Sequence, residues 1–374
     1  MDASIPVWMY IVGFPLLLGP LVTLHELGHY IVGRWFGVQA DAFSVGFGKE
    51  LAGFTDRRGT RWKLSALPLG GYVQFKGDMN PASAPDRTHA APVPQKDGTF
   101  QNAPLWQRAL IVAAGPVVNL LVALAILAGF AMAYGKEVPA DPAAQSYIAG
   151  FAATSPAREA GLKVGDRIAA INGETMADYR QVQRRIMLNP GERIVISVER
   201  GAGRVDLPVT VGRQTLTDTF GNASMIGLIG IVSRPTERRF APVGLIEAIG
   251  VAGSQIVQIT DMMVTGIRQI IVGDRSVKEL GGPIKIAKFS GEQLSLGPQA
   301  FIWFVAMISL NLAFINLLPI PGLDGGHLAF YAAEAVRRKP VGPRGLELAY
   351  RSGMALVLML MLFVTFNDLV SLLG

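Results

Sequence analysis

Four long apolar segments constrain the fold of this chain more than any other feature. They cover roughly residues 6–35, 105–134, 300–318 and 354–373. A hydrocarbon core about 30 Å thick needs about 20 apolar residues of helix, and each segment approaches that length. Only 17% of the residues are charged, whereas soluble domains average about 25%. We therefore predict a polytopic α-helical membrane protein with four transmembrane helices.

The loops between these segments predict how the chain is oriented in the membrane. The loop at residues 34–108 and the loop after the third segment are rich in Lys and Arg, whereas the N-terminus and the tail after Phe366 contain neither. Loops rich in Lys and Arg stay in the cytoplasm. We therefore expect both basic loops in the cytoplasm. Both termini and the long loop at residues 135–299 are expected on the outer face.

The remaining composition excludes several function classes. The net charge is +6, but no basic run is interleaved with aromatic residues, so we expect no nucleic-acid partner. The chain contains no cysteine, which excludes disulfides and thiolate chemistry. The first residues lack a basic n-region and a small-x-small cleavage site. We therefore interpret the first apolar segment as a retained membrane helix, not a removed signal peptide.

The outer loop begins with a segment, residues 145–212, that resembles a single PDZ module. Its Asn172-Gly173 pair is typical of a tight turn between two strands. The pattern predicts a helix at residues 179–187 and strands at residues 147–151, 193–198 and 205–211. A PDZ module is an α+β domain, and here it would lie outside the cytoplasm.

Residues 213–299 are predicted to form an extracytoplasmic linker with one amphipathic helix at residues 243–272. That helix is apolar but contains Glu247, Asp261 and Arg268. Each charge costs roughly 2.5–3.5 kcal/mol at the centre of a bilayer. We therefore favour a helix that lies in the outer interface. The alternative is a fifth span, which would break the orientation that the loop charges predict.

The first apolar segment contains the pattern His25-Glu26-Leu-Gly-His29. Histidines at i and i+4 lie on one helical face, one turn apart, and can bind one zinc ion. The glutamate between them lies beside the metal and can take a proton from water. A chance match, or a histidine pair satisfied within a helix bundle, is the alternative. Ionisable residues inside an apolar span are rare and usually functional, which favours the zinc site.

A catalytic zinc ion usually has three protein ligands, and Asp324 is the preferred third one. It lies in Asn316-Leu-Leu-Pro-Ile-Pro-Gly-Leu-Asp324-Gly-Gly-His327, where prolines and glycines preclude a regular helix. Broken backbone at membrane depth is tolerated where it lines a wet cavity. Two alternatives are open: Asp324 caps a helix that begins near Gly325, or His327 is the ligand. We interpret His89 as a solvated loop residue.

These two motifs together resemble the site-2 protease family of intramembrane zinc metalloproteases, in its bacterial regulator of sigma-E protease type. Supporting stretches are Leu67-Pro-Leu-Gly70-Gly71-Tyr72-Val73, Gly115-Pro-Val-Val-Asn119 and Ser309-Leu-Asn311. Proteins of that type often carry two PDZ modules, whereas this chain has one. The resemblance implies a multi-pass protein of the bacterial inner membrane whose active site faces the cytoplasmic side.

The resemblance also implies a role for each motif residue. His25, His29 and Asp324 would hold one zinc ion, and Glu26 would be the general base. Asn311 and Asn316 would contact the substrate backbone, whereas Asn119 could equally serve helix packing. Residues 38–76 would form a membrane-associated β-hairpin whose unpaired edge, at Gly70, Gly71, Tyr72 and Val73, binds the substrate as an added strand through donors such as the Val73 N–H.

The expected substrates are single-span membrane proteins such as anti-sigma factors, or signal-peptide remnants. The PDZ module would bind or exclude their outer domains. Two other functions are open: a metal transporter that uses the same ligands, and an inactive adaptor that displays the PDZ module. The predicted segments are 1–36, 105–134, 300–327 and 353–373 for the transmembrane helices, 37–104 for the hairpin and its loop, 145–212 for the PDZ module and 213–299 for the linker.

Overall fold

The computed structural model describes residues 5–77, 98–139, 147–176, 179–201, 203–217, 223–233, 238–272, 277, 281–339 and 342–373. His89 lies outside these residues.

The helices are α1 (Val7–Trp35), α2 (Leu105–Tyr134), α3 (Pro156–Glu159), α4 (Tyr179–Met187), α5 (Leu245–Val272), α6 (Pro283–Ser295), α7 (Pro298–Asn316), α8 (Asp324–Arg337) and α9 (Pro343–Leu373). The strands are β1 (Ala40–Thr55), β2 (Arg61–Phe75), β3 (Lys136–Pro139), β4 (Ile148–Phe151), β5 (Arg167–Ile171), β6 (Glu174–Thr175), β7 (Arg193–Arg200), β8 (Gly203–Thr210), β9 (Gly212–Thr217), β10 (Ala223–Leu228), β11 (Ile231–Ser233) and β12 (Arg238–Ala241).

Among the described residues, four helices are long and apolar enough to cross a membrane. They are α1, α2, α7 and the part of α9 at residues 347–370, so the prediction of four such helices is confirmed. Helix α5 is not among them. The third helix is shorter than predicted: α7 ends at Asn316, and a separate helix begins at Asp324. The prolines and glycines between them interrupt the helix, because proline lacks the backbone N–H that a helical hydrogen bond needs and glycine is a poor helix former.

The chain forms two compact units, residues 1–127 with 281–370 and residues 128–280 with 371–374. In the first unit, α6 packs along α1 at positions where both helices carry glycine. A Cβ atom added at Gly13 would lie 3.0 Å from the Ser290 carbonyl carbon, and one at Gly291 would lie 2.4 Å from the Tyr10 ring. Small residues allow helix backbones to approach this closely within a membrane.

The hairpin of β1 and β2 folds into a wider sheet that rests on α1. Residues 42–45 lie opposite both 71–74 and 61–64, so residues 71–75 form an outer edge, with which no other described strand pairs. Phe43 and Val73 are buried in one cluster with Tyr30 of α1. This packing holds the outer edge close to the helix that carries the two histidines.

The second unit contains a four-stranded sheet in the order β6-β5-β7-β8. Its strands bury alternate residues: Ile194 and Ile196 are fully buried, whereas Val195 is 40% exposed. Asp166, in the Gly-Asp-Arg pattern, is buried and accepts both the Lys163 N–H and the Arg200 guanidinium. Burial opposes ionisation, but the Arg200 and Lys163 hydrogen bonds outweigh it and lower the pKa of Asp166 below its ordinary value.

Residues 213–299 contain a helix at Leu245–Val272, where the sequence predicts one, and also strands and the helix α6 that the sequence does not predict. Strand β11 pairs with β4, with Val232 opposite Gly150, so the sheet module extends beyond the predicted end at residue 212. Strands β9 and β10 pair with each other, and α6 belongs to the first unit. These strands are short, and β11 acquires its partner from a distant part of the chain, so periodicity alone does not reveal them.

Candidate metal centre

Three side chains from two helices bring possible metal-ligand atoms together. His25 and His29 lie one turn apart on α1, and Asp324 is the first residue of α8. The two Nε2 atoms are 3.1 Å apart. Asp324 Oδ2 lies 3.1 Å from His25 Nε2 and 3.6 Å from His29 Nε2. The structure thus brings together the three residues that the sequence predicts as ligands, although they are separated by almost 300 residues in the chain.

This group fits a zinc ion in its distances and in its chemistry. Zinc bonds of about 2.0–2.1 Å in tetrahedral geometry place neighbouring ligand atoms about 3.3 Å apart, close to the observed separations. The buried Asp324 Oδ2 makes no hydrogen bond of good geometry among the described residues, although His25 Nε2 lies 3.1 Å away. A buried acceptor without a partner is costly unless a donor or a cation satisfies it. Imidazole nitrogens and a carboxylate oxygen are also the ligands that catalytic zinc sites use.

The hydrogen bond at the far side of His29 fixes which nitrogen is free to bind a metal. His29 Nδ1 lies 2.8 Å from the Ile111 carbonyl oxygen. A carbonyl oxygen can only accept, so Nδ1 carries the proton and Nε2 keeps its lone pair. Helix α2 supplies this carbonyl from the turn that precedes Pro116. The lone pair of His29 therefore faces Asp324 and His25.

Asp324 is held in place by the loop between α7 and α8. A Cβ atom added at Gly325 would lie 2.3 Å from the Leu317 carbonyl oxygen, and one added at Gly326 would lie 2.3 Å from the Ile320 oxygen. Only glycine permits the loop to pack this closely on the first turn of α8. The alternative in which Asp324 caps the helix differs from the structure, because the N-cap residue is Leu323.

His327 is engaged elsewhere, although it is only one turn away from Asp324 on the same helix. Its Nδ1 atom lies 2.7 Å from the hydroxyl oxygen of Tyr350 on α9. The group of residues that could hold a metal ion contains His25, His29 and Asp324 and does not include His327. The arrangement therefore favours Asp324 over His327 as the third ligand.

Glu26 makes a contact that the sequence does not reveal. Its Oε2 atom accepts the backbone N–H of Val73 at 3.0 Å. From the sequence, the Val73 N–H is predicted to be a free donor at the edge of the hairpin. In the structure that donor is used by Glu26, because the packing of β2 on α1 brings the edge to the helix. The hairpin therefore holds the candidate general base.

Of the other predicted substrate-binding residues, Gly70 and Gly71 have a structural reason to be glycine. Asn311 and Asn316 are on α7, partly exposed. Gly70 has a φ of +107°, which favours glycine. A Cβ atom added at Gly71 would lie 2.5 Å from the Ser44 carbonyl oxygen, so the paired strands also require glycine there. Tyr72 is partly exposed, opposite Ser44.

Gly115 gives the two histidines the space that they occupy. A Cβ atom added there would lie 2.3 Å from His29 Nε2 and 2.7 Å from His25 Cε1. In the sequence, the Gly115-to-Asn119 stretch supports only the family resemblance. The sequence signal for a role in the site is the four-residue spacing of Gly115 and Asn119, because positions i and i+4 of a helix share one face. In the structure this face of α2 meets the histidines.

Gly115→Ala should therefore lower zinc affinity and cleavage by about 100-fold, the order of loss expected when site geometry shifts by about 1 Å. Chelator competition on the purified protein would measure the first quantity, and a cleavage assay the second. Gly129→Ala is a matched control on the same helix, because an added Cβ there would meet nothing within 4 Å. Equal zinc affinity in both variants would contradict the predicted clash.

Comparisons with known proteins give similarities along nearly the whole chain. The model of peptidase family M50 matches residues 13–360, a range that contains both motifs. A protein of Agrobacterium fabrum named as a zinc metalloprotease is 43% identical over 371 residues, covering 98% of this chain and 97% of the relative. Metalloprotease MmpA of Caulobacter vibrioides is 32% identical over 377 residues, covering 94% and 93%. The PDZ domain of an SdrC-like protein from Listeria monocytogenes, a solved structure, covers 23% of this chain and 84% of that domain at 20% identity and a TM-score of 0.19.

Proposed function

The chain belongs to peptidase family M50, the site-2 proteases, and from this membership we propose its zinc ligands, its general base and the way it holds its substrate. The protein is an intramembrane zinc metalloprotease, a multi-pass membrane protein that acts on membrane-protein substrates. The prediction of a zinc protease from the two motifs is thereby confirmed. The transporter and the inactive adaptor are not supported by the family.

We assign the zinc ion to His25, His29 and Asp324, and the convergence of their three ligand atoms is the observation that carries the proposal. A zinc ion in such a site polarises a carbonyl group and makes water nucleophilic at neutral pH. Glu26 acts as the general base: it takes a proton from the attacking water as the C–O bond forms. The same carboxyl group then gives that proton to the amide nitrogen as the C–N bond breaks.

The Val73 N–H supports this role of Glu26. By donating to Oε2, it fixes one carboxylate oxygen and leaves the other free for proton transfer. Because Val73 belongs to the hairpin edge, the position of the base depends on how β2 packs against α1. A catalytic group must be held within about 0.5 Å of its working position, and a backbone donor in a sheet is well suited to that task.

The substrate is held as an extended strand along residues 71–75. A transmembrane helix satisfies its own backbone hydrogen bonds, and its peptide bonds are shielded until it unwinds. The outer edge of the hairpin offers unpaired backbone groups for strand addition, and one member of this edge already contacts Glu26. A substrate strand added there therefore runs directly past the base. Asn311 and Asn316, partly exposed on the half of α7 that precedes the loop to Asp324, would hold its backbone near the metal.

Disulfide crosslinking tests strand addition directly, because the chain contains no cysteine. Tyr72→Cys in a Glu26→Gln background would be combined with single cysteines at consecutive positions of a membrane-protein substrate. Side chains alternate across a strand with a period of two. We therefore expect strong and weak crosslinking to alternate along the substrate, so that every second residue crosslinks strongly. The crosslinking yields should differ by at least about threefold, because only every second substrate side chain lies at the spacing of paired side chains.

A cysteine at Lys63, on the inner strand at residues 61–64 and opposite Ser44, is the matched control and should crosslink weakly without alternation. Crosslinking at Tyr72→Cys that repeats every three or four substrate residues would indicate a helical substrate instead. In that case strand addition would be wrong, while the zinc ligands would be unaffected.

We further propose that the protein lies in a bacterial inner membrane with both termini outside, four spans, α5 in the outer interface and the metal centre toward the cytoplasm. The basic loops and the four apolar helices support this orientation. A topology reporter placed after Gly374 or at Gly203 should report the outer face, and one placed at Asp86 or Lys339 should report the cytoplasm. A cytoplasmic signal after Gly374 would mean that α5 spans the membrane.

We propose that residues 145–212 of the second unit form a single PDZ module outside the cytoplasm that binds or excludes the outer domains of substrates. The strand and helix order of β4, α3, β5 and α4 supports this assignment. The proposed substrates are single-span proteins, such as anti-sigma factors, and signal-peptide remnants, because a single helix is the element that the hairpin edge would receive after unwinding.

A further inference from the structure

We propose that Asn119 is a positioning residue for His25: its amide oxygen accepts the Nδ1–H of His25, which directs the Nε2 lone pair toward the metal position. The inference rests on the proposed zinc ligands and adds to them a residue that does not itself touch the metal. It also distinguishes Asn119 from a residue that serves helix packing alone.

The placement of Asn119 is the first observation. Its side chain is fully buried, four residues after Gly115 on α2, so both residues face the histidines. The Asn119 amide nitrogen lies 3.3 Å from His25 Nδ1, the ring nitrogen on the side away from Asp324 and His29. Among the described residues, the Asn119 Oδ1 atom has no hydrogen-bond partner.

The proton on His25 decides between the two orientations of this amide. If the NH2 group donates to Nδ1, then Nδ1 holds a lone pair and the proton sits on Nε2, between His29 and Asp324. A proton there excludes a metal ion. Exchanging the two nearly identical ends of the amide, which is a question of assignment, places Oδ1 at Nδ1. The amide oxygen then gains a donor, and Nε2 is free to bind zinc.

His29 provides a precedent within the same site. Its Nδ1–H donates to the Ile111 carbonyl, eight residues before Asn119 on the same helix. With Asn119 in the accepting orientation, α2 fixes the tautomers of both histidines, one through a backbone oxygen and the other through a side-chain oxygen. Ligand histidines commonly donate their second N–H to such an acceptor.

The backbone of Asn119 is anchored as well. The hydroxyl group of Ser309, which is fully buried on α7, donates to the Asn119 carbonyl oxygen at 2.7 Å. Asn119 is therefore held by α7 while its side chain reaches α1. The Ser309-Leu-Asn311 stretch, noted in the sequence, thereby gains a structural role at its first residue.

The test compares zinc affinity in Asn119→Leu and Asn119→Asp by chelator competition on the purified full chain in detergent. Leucine removes the acceptor and should lower zinc affinity by about 10–100-fold, the typical effect of losing an outer partner of a ligand. Aspartate keeps an acceptor at Nδ1 and should stay within about threefold of the wild type, since carboxylate–histidine–zinc arrangements bind zinc well. Leu127→Ala, a buried position two turns further along α2, is the control for general loosening of the helix and should keep its affinity.

Wild-type affinity in Asn119→Leu, or an equal loss in both variants, would overturn the proposal. If Asn119→Asp does not fold, the cobalt(II)-loaded wild type decides. It should show two slowly exchanging, hyperfine-shifted imidazole N–H protons, one each from His25 and His29, whereas the His25 proton should exchange rapidly in cobalt-loaded Asn119→Leu; equally slow exchange of both protons in that variant would overturn the proposal. Failure of the zinc ligands themselves gives a different result, in which His25→Ala binds zinc as tightly as the wild type.

Discussion

Asp324→Ala should remove zinc from the purified protein and abolish cleavage. Two histidines alone make a weak site, and the metal-binding free energy of a third ligand is lost with the carboxylate. The fall in zinc affinity should exceed the about 10–100-fold typical of an outer partner. His25→Ala and His29→Ala should behave in the same way, because each ligand atom lies within 3.6 Å of the other two.

Zinc content by elemental analysis and affinity by chelator competition would measure this effect, with a cleavage assay in parallel. Glu334→Ala is the matched control, since Glu334 is an acidic residue on the same helix that pairs with Arg108 at 3.3 Å and not with the metal group. It should keep full zinc content. Stoichiometric zinc in Asp324→Ala would remove Asp324 from the proposed ligands and would bring His327 back as the alternative.

The histidine pair and Asp324 could be predicted from the sequence because each is marked by a local pattern. A helical spacing of four places both histidines on one face, and a run of prolines and glycines marks the interruption before Asp324. The four apolar helices follow from length and composition alone. None of these inferences needs knowledge of which distant residues meet.

The contacts that complete the site depend on tertiary packing and have no local signal. The hydrogen bond from Val73 to Glu26 joins residues 47 positions apart, and it arises only because the hairpin packs on α1. The clearance at Gly115 and the contact of Asn119 with His25 arise because α2 approaches α1 closely: a Cβ atom added at Gly28 would lie 2.6 Å from the Ala114 carbonyl oxygen. Sequence patterns identify such residues as unusual but do not supply their partners.

The same distinction explains why the sequence does not reveal the strands and the helix α6 within residues 213–299. Strand β11 has only three residues, too few for a two-residue periodicity to be recognised. Its stability comes from pairing with β4, about 80 residues earlier in the chain. Helix α6 has a mixed polar and apolar sequence that fits a surface helix, yet Ser290 and Gly291 are buried against α1. In both cases long-range packing decides the structure.

Glu26→Gln should separate chemistry from metal binding: zinc is kept, and cleavage falls by about 10²–10⁴-fold, the range that general acid–base catalysis contributes. Glutamine has nearly the same shape, and its amide oxygen can still accept the Val73 N–H, so the hairpin edge should stay in place. It cannot take a proton from water, which is the step that the proposal assigns to Glu26. The variant should therefore still bind substrate and hold it uncleaved.

Single-turnover cleavage of a membrane-protein substrate, with zinc content and crosslinking measured on the same sample, would check this prediction. The pair of variants then distinguishes the two roles in the site. Asp324→Ala loses zinc and activity together, whereas Glu26→Gln loses activity alone, because Glu26 is one position from a ligand but its carboxylate is bound to the hairpin. Cleavage by Glu26→Gln at more than about a tenth of the wild-type rate, well above the loss expected for a missing general base, would show that another group takes the proton. Loss of zinc in this variant would instead make Glu26 a part of the metal site.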